Sequence, residues 1–221
     1  MGGNRMRKLL LALSVFALGL SSANAGDYSR ASGYGWTGLY IGAHLGGGGS
    51  TVDWTYVPGG TTADHDGSGA FGGIQVGYNM QSGSLVFGVE GDLSAADING
   101  STPCPNPVFS CASEITMLGS LRLRAGYAMG NVLVYATGGL GFGHIDISTQ
   151  VPPGPITGTD KTRTGWTLGG GLEYGMGNGW SVKAEYLYYD LGDHSYVVDN
   201  ALVVNADVTI HTGKVGLNFR F

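Results

Sequence analysis

Two short segments place histidine beside carboxylates, the residue types used in general acid–base chemistry. They are Asp64-His65-Asp66 and Asp193-His194-Ser195. Such groups would suit hydrolysis or acyl transfer if a base and a nucleophile came within hydrogen-bond reach of each other. Adjacency in a polar loop does not supply that geometry. We therefore interpret both segments as solvated loops and predict that the protein is not an enzyme.

Carboxylates are frequent in the polar segments, which raises divalent-cation binding as an alternative. Oxygen ligands suit calcium or magnesium, but no spacing here matches a dedicated cation loop. The glycine-rich runs GGLGFG and HLGGGGS lack the following helix that a phosphate site needs. We predict neither a metal nor a cofactor. The acidic residues concerned are Asp53, Asp64, Asp66, Asp97, Glu114, Asp160, Asp190, Asp193 and Asp199.

The first 25 residues have the pattern of a secretory signal. Three basic residues precede the apolar run Leu9–Leu20, and Ala23 and Ala25 form an A-x-A cleavage site. The run is twelve residues long, shorter than the ~20 that a membrane-spanning helix needs. We predict cleavage after Ala25, followed by a flexible leader over residues 26–35.

Charge and cysteine content limit the class of partner. Without the signal's Arg5, Arg7 and Lys8 the chain has 8 basic and 16 acidic residues, a net charge of −8, which argues against nucleic acid as a partner. In an exported chain, two nearby cysteines in a proline-rich loop favour one local disulfide. We predict that disulfide between Cys104 and Cys111.

Alternation of apolar and polar residues recurs in eight segments, as in half-buried β-strands. Each is long enough to cross a bilayer as a tilted strand, which needs ~9–11 residues. We predict that residues 36–221 form an all-β, eight-stranded antiparallel up-and-down transmembrane barrel. The predicted strands are Trp36–Gly48, Ala70–Gln81, Leu85–Ala96, Ile115–Met129, Val132–Ser148, Thr164–Gly175, Trp180–Asp190 and Asp207–Phe221.

Connections between the predicted strands alternate in length. QSGS, GN and MGNG are short. Short turns at one end and long loops at the other are typical of outer-membrane barrels, in which the short turns face the periplasm. The long connections are Ser50–Gly69, Asp97–Glu114, Thr149–Arg163 and Leu191–Ala206.

Charged residues of the strands share the polar face with many of the 42 glycines. The interior of an eight-stranded barrel is only wide enough for side chains to fill. Buried ions need partners, because an isolated charge in a low-dielectric interior is very costly. We therefore predict a lumen charge network of four acids and five bases: Glu90, Asp92, Glu173 and Glu185 with Arg122, Arg124, Lys183, Lys214 and Arg220.

Alternation alone leaves open which face points inward, because a lipocalin-like soluble barrel encloses its apolar face around a ligand. Aromatic residues near the short turns favour a lipid-facing apolar side, since they would form one interfacial girdle. Phe142, Trp166 and Tyr188 are candidates for the opposite girdle. On the fourth strand the predicted lipid face is Ile115, Met117, Leu121 and Leu123. The girdle near the short turns comprises Tyr78, Phe87, Tyr127, Tyr174, Trp180, Phe219 and Phe221.

Several segments resemble one known family. They are GWTGLYIGAHLGGG, FGVEGD, GSLRLRAGYA, VLVYATGGLGFG, GWTLGGGLEYGMGNGWSVKAEYLYYDLG and VGLNFRF. Together they are similar to the RopB-type small outer-membrane β-barrels, an OmpA-like group often labelled porin family. The resemblance implies export through the periplasm to the outer membrane. It also implies a C-terminal signal for the barrel-assembly machinery at Val215, Gly216, Leu217, Phe219 and Phe221.

These observations favour a structural role in envelope integrity, with at most weak pore activity because paired charges fill the lumen. The expected partners are outer-membrane lipid and lipopolysaccharide, with periplasmic chaperones and the assembly machinery during biogenesis. Two alternatives stay open. One is surface adhesion or host interaction, with surface ligands bound through the long loops. The other, less favoured, is a lipid-modifying enzyme.

Overall fold

Eight antiparallel strands close into a barrel in the computed structural model, which describes residues 33–56, 62–103, 110–150, 157–198 and 202–221. Each strand pairs with the next, and β8 pairs with β1, so the described sheet has no free edge. This confirms the predicted fold class. Within these ranges no helix is long and apolar enough to cross a membrane. The strands are β1 Gly38–Tyr56, β2 Thr62–Ser82, β3 Leu85–Pro103, β4 Ser110–Met129, β5 Val132–Gln150, β6 Thr157–Gly177, β7 Trp180–Val198 and β8 Leu202–Arg220.

Three two-residue turns lie at one end of the barrel, at residues 83–84, 130–131 and 178–179. Gly83 and Gly130 have φ of 61°, and Asn178 has φ of 51°. This left-handed backbone is what tight hairpins require and what glycine and asparagine tolerate. The predicted short turns are therefore confirmed.

At the opposite end the strands are longer than predicted, with lengths of 19 to 21 residues. Four long connections were predicted there, and that prediction is wrong in extent. The β1–β2 ladder, for example, continues to the pair Thr55 and Thr62. Strand pairing continues beyond the bilayer because backbone hydrogen bonds form in water as well. What ends at the membrane boundary is the apolar alternation that the prediction followed.

Apolar side chains face outward over the half of each strand nearest the short turns. On β3, Leu85, Phe87, Val89 and Leu93 are exposed, whereas the exposed outward positions beyond them include Asp97 and Asn99. We call this surface the apolar belt. The height of this belt matches the ~9–11 residues of strand that are needed to cross a bilayer.

One predicted lipid-facing residue lies inside the barrel. Ile115 is buried in the lumen, while Met117, Leu121 and Leu123 are exposed as predicted. A register irregularity between Ile115 and Met117 interrupts the β4–β5 ladder and reverses the parity of the strand at this point. On β5 the adjacent apolar residues Leu133 and Val134 do not follow a simple alternation, and the structure shows Leu133 buried and Val134 exposed.

Glycines on the inner face make room for large lumen side chains. At Gly77 any Cβ would collide with the ring and hydroxyl of Tyr40. Gly77 of β2 lies between Tyr40 of β1 and Glu90 of β3 in the strand register, and its missing side chain allows the Tyr40 hydroxyl to reach Glu90. Long side chains from other strands thus fill the space that inward-facing glycines leave in the lumen.

Candidate functional site: a neutral ionic layer inside the barrel

Eight of the nine predicted lumen charges meet in one layer across the barrel. No side chain in this layer is more than 3% exposed. Five strands contribute, so the layer ties opposite walls together. It contains four acids and four bases, and its formal charge is zero. The members are Glu90 and Asp92 of β3, Arg122 and Arg124 of β4, Glu173 of β6, Lys183 and Glu185 of β7, and Lys214 of β8.

Glu90 lies at the centre of the layer. Its Oε1 is 2.6 Å from Arg122 Nη2 and 2.7 Å from Lys183 Nζ, which also lies 2.8 Å from Oε2. The Tyr40 hydroxyl donates to Oε2 at 2.6 Å. Arg124 Nη1 is 3.7 Å from the same oxygen. Glu90 therefore accepts charged donors from two walls of the barrel.

Arg122 joins three carboxylates. Besides Glu90, its Nη2 lies 3.2 Å from Asp92 Oδ2, and its Nη1 lies 3.0 Å from Glu185 Oε1. Lys214 bridges the same two acids from β8, at 3.4 Å from Asp92 and 3.1 Å from Glu185. Removing Arg122 or Lys214 would therefore leave at least two buried carboxylates with less positive charge to balance them.

A second part of the layer forms around Arg124 and Glu173. Arg124 Nη2 donates to Glu173 Oε2 at 2.7 Å, and the guanidinium lies 3.9 Å from the centre of the Tyr135 ring. Glu173 also accepts hydrogen bonds from Ser181 at 2.6 Å and Asn218 at 3.0 Å. A guanidinium over an aromatic face is attracted by the ring quadrupole, so Tyr135 supports the charge that Glu173 balances.

Two apolar clusters enclose the ionic layer. Along β4 the lumen residues run from Ala128 through Arg124 and Arg122 to Leu118, so the layer lies between the clusters. The turn-end cluster comprises Trp36, Val86, Ala128, Leu133 and Tyr135, with Tyr34 packed against it. The loop-end cluster comprises Ile98, Ile115, Leu118, Leu187, Tyr189, Leu191, Val208 and Ile210. The ions are thus separated from solvent at both ends of the lumen.

Arg220, the fifth predicted base, has different surroundings. Its guanidinium lies 5.4 to 5.5 Å from the ring centres of Tyr34, Trp36 and Tyr40, and Nη1 donates to the Trp36 carbonyl. Arg220 therefore belongs to the turn end of the lumen and lies outside the neutral set of eight.

Neutral partners of the layer escaped the sequence analysis. Tyr40 and Tyr135 both donate to acids, at 2.6 Å to Glu90 and 2.8 Å to Glu185. Aromatic residues in a barrel were assigned to the outer surface, so these two received no lumen role. Strand parity was the available signal for Tyr135, which lies on the same inner face of β5 as Leu133. The adjacent apolar residue Val134 obscures that parity in the sequence.

The girdle residues and the C-terminal residues lie mostly on the outer surface. Tyr78, Phe87, Tyr127, Tyr174 and Trp180 are all exposed near the short turns, and Phe219 packs between the Trp180 and Phe221 rings. At the other end of the apolar belt, Trp166 contacts Tyr188. In the proposed assembly signal, Val215, Leu217 and Phe221 are exposed. Gly216 instead faces the lumen beside Lys183 and Gln75.

The strand register brings several candidate acidic residues into one row. Asp53 lies opposite Asp64 and opposite Asp207, and Asp193 also lies opposite Asp207. The histidine-containing segments of β2 and β7 are therefore three strand spacings apart, about 14 Å. Among the residues whose side chains are described, no group of three or more His, Cys, Asp or Glu is arranged to hold a metal ion.

Two predictions fall on parts of the chain that the structure does not describe. Residues 1–32, with the predicted cleavage site at Ala23 and Ala25, lie outside the described ranges. Cys104 also lies outside them, and of Cys111 only the backbone is described. The signal peptide and the disulfide stay predictions.

Known proteins resemble this chain in sequence and in fold. The family model of the outer membrane protein beta-barrel domain matches residues 10–221. The 31 kDa outer-membrane immunogenic protein of Brucella melitensis is 34% identical over 244 aligned positions, which cover 98% of this chain and 100% of the relative. The 22 kDa outer membrane protein of Rhizobium leguminosarum bv. viciae is 32% identical over 165 positions, covering 74% and 70% respectively. The outer membrane protein OprG from Pseudomonas aeruginosa superposes with a TM-score of 0.50 at 15% identity, covering 86% of this chain and 99% of that one, a likeness of fold alone.

A double-mutant cycle between Glu90 and Lys183 tests whether the layer acts as a unit. Glu90→Gln and Lys183→Met each leave a net buried charge, so each is expected to lower the unfolding free energy by about 3–5 kcal/mol. The double variant restores neutrality, and its loss should be clearly smaller than the sum of the two. Urea unfolding in lipid vesicles, followed by tryptophan fluorescence, measures all three. Thr137→Val, a buried neutral lumen substitution, is the control. Strictly additive losses would contradict the coupling.

Proposed function

This chain belongs to the outer membrane protein beta-barrel domain family, and from that premise we propose that it serves a structural role in envelope integrity. The protein is an integral barrel of the outer membrane, surrounded by lipid and lipopolysaccharide. Within the family, we place it with the RopB-type small barrels whose motifs it resembles.

The ionic layer carries this proposal. Its side chains are at most 3% exposed, and apolar clusters lie on both sides of it. A conducting porin needs a polar, water-filled interior. A neutral layer between two apolar clusters instead favours a rigid body that excludes water. Any pore activity is therefore weak.

The outer face supports the same role. The apolar belt anchors the barrel in the hydrocarbon region, and Trp166 and Tyr188 lie at the loop end of that belt, where amphipathic rings favour the interface. Beyond the belt the strands continue as paired hairpins that expose Asp66 and Asp97. The barrel thus presents acidic side chains next to the lipopolysaccharide headgroups.

Catalysis has less support. The relatives are named as outer-membrane and immunogenic proteins, and the two histidine-containing segments of this chain are on strands that are not neighbours. We propose that the protein is not an enzyme. The Brucella relative is named as an immunogenic protein, which is compatible with hairpins exposed at the cell surface in this chain too.

Two measurements test the structural role together. A deletion strain should become more sensitive to detergent, because a lipid-anchored barrel with a rigid core stabilises the membrane around it. Purified protein in planar bilayers should give only small, brief currents. Large, stable, porin-like currents would contradict the proposal.

Complementation distinguishes a structural role from surface interaction. The informative variant shortens the β1–β2 hairpin by joining the paired positions Thr51 and Asp66 through an Asn-Gly turn. It keeps the apolar belt and the ionic layer, so it should restore detergent resistance as well as the intact chain does. If it folds in the outer membrane and fails to restore resistance, the outer hairpin carries the function.

Assembly is predicted to depend on the terminal aromatic residue. Phe221 is 70% exposed at the turn end of the belt, beside Phe219 at a ring distance of 5.3 Å, where a partner can reach it. Deleting Phe221 should reduce recognition by the barrel-assembly machinery, so that chains accumulate in the periplasm with chaperones. The measure is the heat-modifiable band on gels without boiling. The control is Gly213→Ala on the same strand, where a Cβ meets nothing within 4 Å. Wild-type amounts of folded protein after deletion would contradict the role of Phe221.

A further inference from the structure

The chain segment just before β1 crosses the barrel at its turn end. We call residues 33–37 the strap. The Tyr34 N–H donates to Asn131 Oδ1 at 3.1 Å, and its hydroxyl donates to the Gly179 carbonyl at 2.9 Å. The Trp36 N–H donates to Gln81 Oε1 at 2.9 Å. The strap is therefore held at or beside all three short turns, in contrast to the flexible leader predicted up to residue 35.

Trp36 fills the turn end of the lumen. Its side chain is fully buried in the turn-end cluster, against residues of β3, β4 and β5 such as Val86 and Leu133. Its ring lies 4.7 Å from that of Tyr34. The largest member of this cluster is thus supplied by the strap and not by the barrel wall.

Gly175 on β6 provides the space that the strap occupies. A Cβ at Gly175 would collide with the Tyr34 side chain, including its Cβ at 2.6 Å. Glycine weakens a strand interior and often marks a close approach of other groups. Here the close approach is made by the strap.

The two clusters differ in how they are attached. All eight residues of the loop-end cluster lie within β3, β4, β7 and β8, so none can leave without breaking strand pairing. The strap is outside the strands, and each of its hydrogen bonds to the turn end involves a side chain. Tyr34 bonds to Asn131 and Gly179, Trp36 and Thr37 bond to Gln81, and the Arg220 guanidinium donates to the Trp36 carbonyl. Local openings with few backbone bonds have low free energies.

From this asymmetry we propose that the strap is a releasable lid on the periplasmic mouth of the barrel. Its release admits water and small ions to the turn-side face of the ionic layer. The barrel wall stays closed, and the loop-end cluster continues to block passage across the membrane. The chain therefore contains one movable closure and one fixed closure.

Cysteine accessibility tests the lid in the full-length protein. Thr137→Cys places a thiol at a buried lumen position on β5, in a background with Cys104 and Cys111 changed to serine. Two variants release the strap by different routes: Trp36→Ala removes the group that fills the mouth, and Gly175→Val displaces Tyr34. Gly213→Val is the matched control, because a Cβ there points into open space.

The readout is the rate of modification by a small, water-soluble, charged methanethiosulfonate in lipid vesicles. Both release variants should keep the heat-modifiable folded band and react about tenfold faster or more, as expected for a local opening. The control should react at the parent rate. Unchanged rates in folded release variants would overturn the lid. Loss of the folded band in both release variants would also overturn it, because the strap would then be an inseparable part of the barrel.

Discussion

Charge neutrality of the buried ionic layer is the constraint on which the rest of this structure depends. A buried ion without a partner costs several kcal/mol even after relaxation, so each acid that enters the layer requires a base on a neighbouring or opposite wall. The chain meets this requirement with four acids and four bases on five strands. Glu90 and Arg122, at 2.6 Å, are central to it. The members of the layer lie on strands that are distant in sequence, so the layer forms only when those strands have come together in the barrel. Once formed, the layer makes the stability of the barrel depend on the correct register of all five strands.

The surrounding features follow from that layer and from the bilayer. Without water in the hydrocarbon region, every backbone donor and acceptor must be paired, which a closed barrel achieves and an open sheet does not. Apolar residues must then occupy the outer face, and the polar residues must point inward. Glycines such as Gly77 and Gly216 give the long lumen side chains room. Above the membrane the outer face no longer needs to be apolar, yet the strands continue, since their backbone pairing does not depend on lipid.

Much of this arrangement is predictable from the sequence, and the exceptions have physical causes. Strand ends at the short turns agree with the prediction, at Leu85, Met129, Val132 and Trp180, because apolar alternation and glycine-containing turns coincide there. Strand ends on the other side were missed because alternation stops with the membrane. The inward position of Ile115 was missed because a register irregularity at residue 116, which no local motif announces, reverses the face of the strand there. The strap was missed because a segment rich in glycine, serine and tyrosine has no periodicity, and its order comes from contacts with distant turns.

Solid-state NMR of the intact protein in lipid bilayers tests the central claim most directly. With labelled lysine and glutamate, the account predicts a direct contact between Lys183 Nζ and the Glu90 carboxylate, as required by separations of 2.7 and 2.8 Å. It also predicts almost no magnetisation transfer from water to that lysine. Strong transfer from water, or from lipid acyl chains, to Lys183 would contradict a neutral ionic layer enclosed within the barrel.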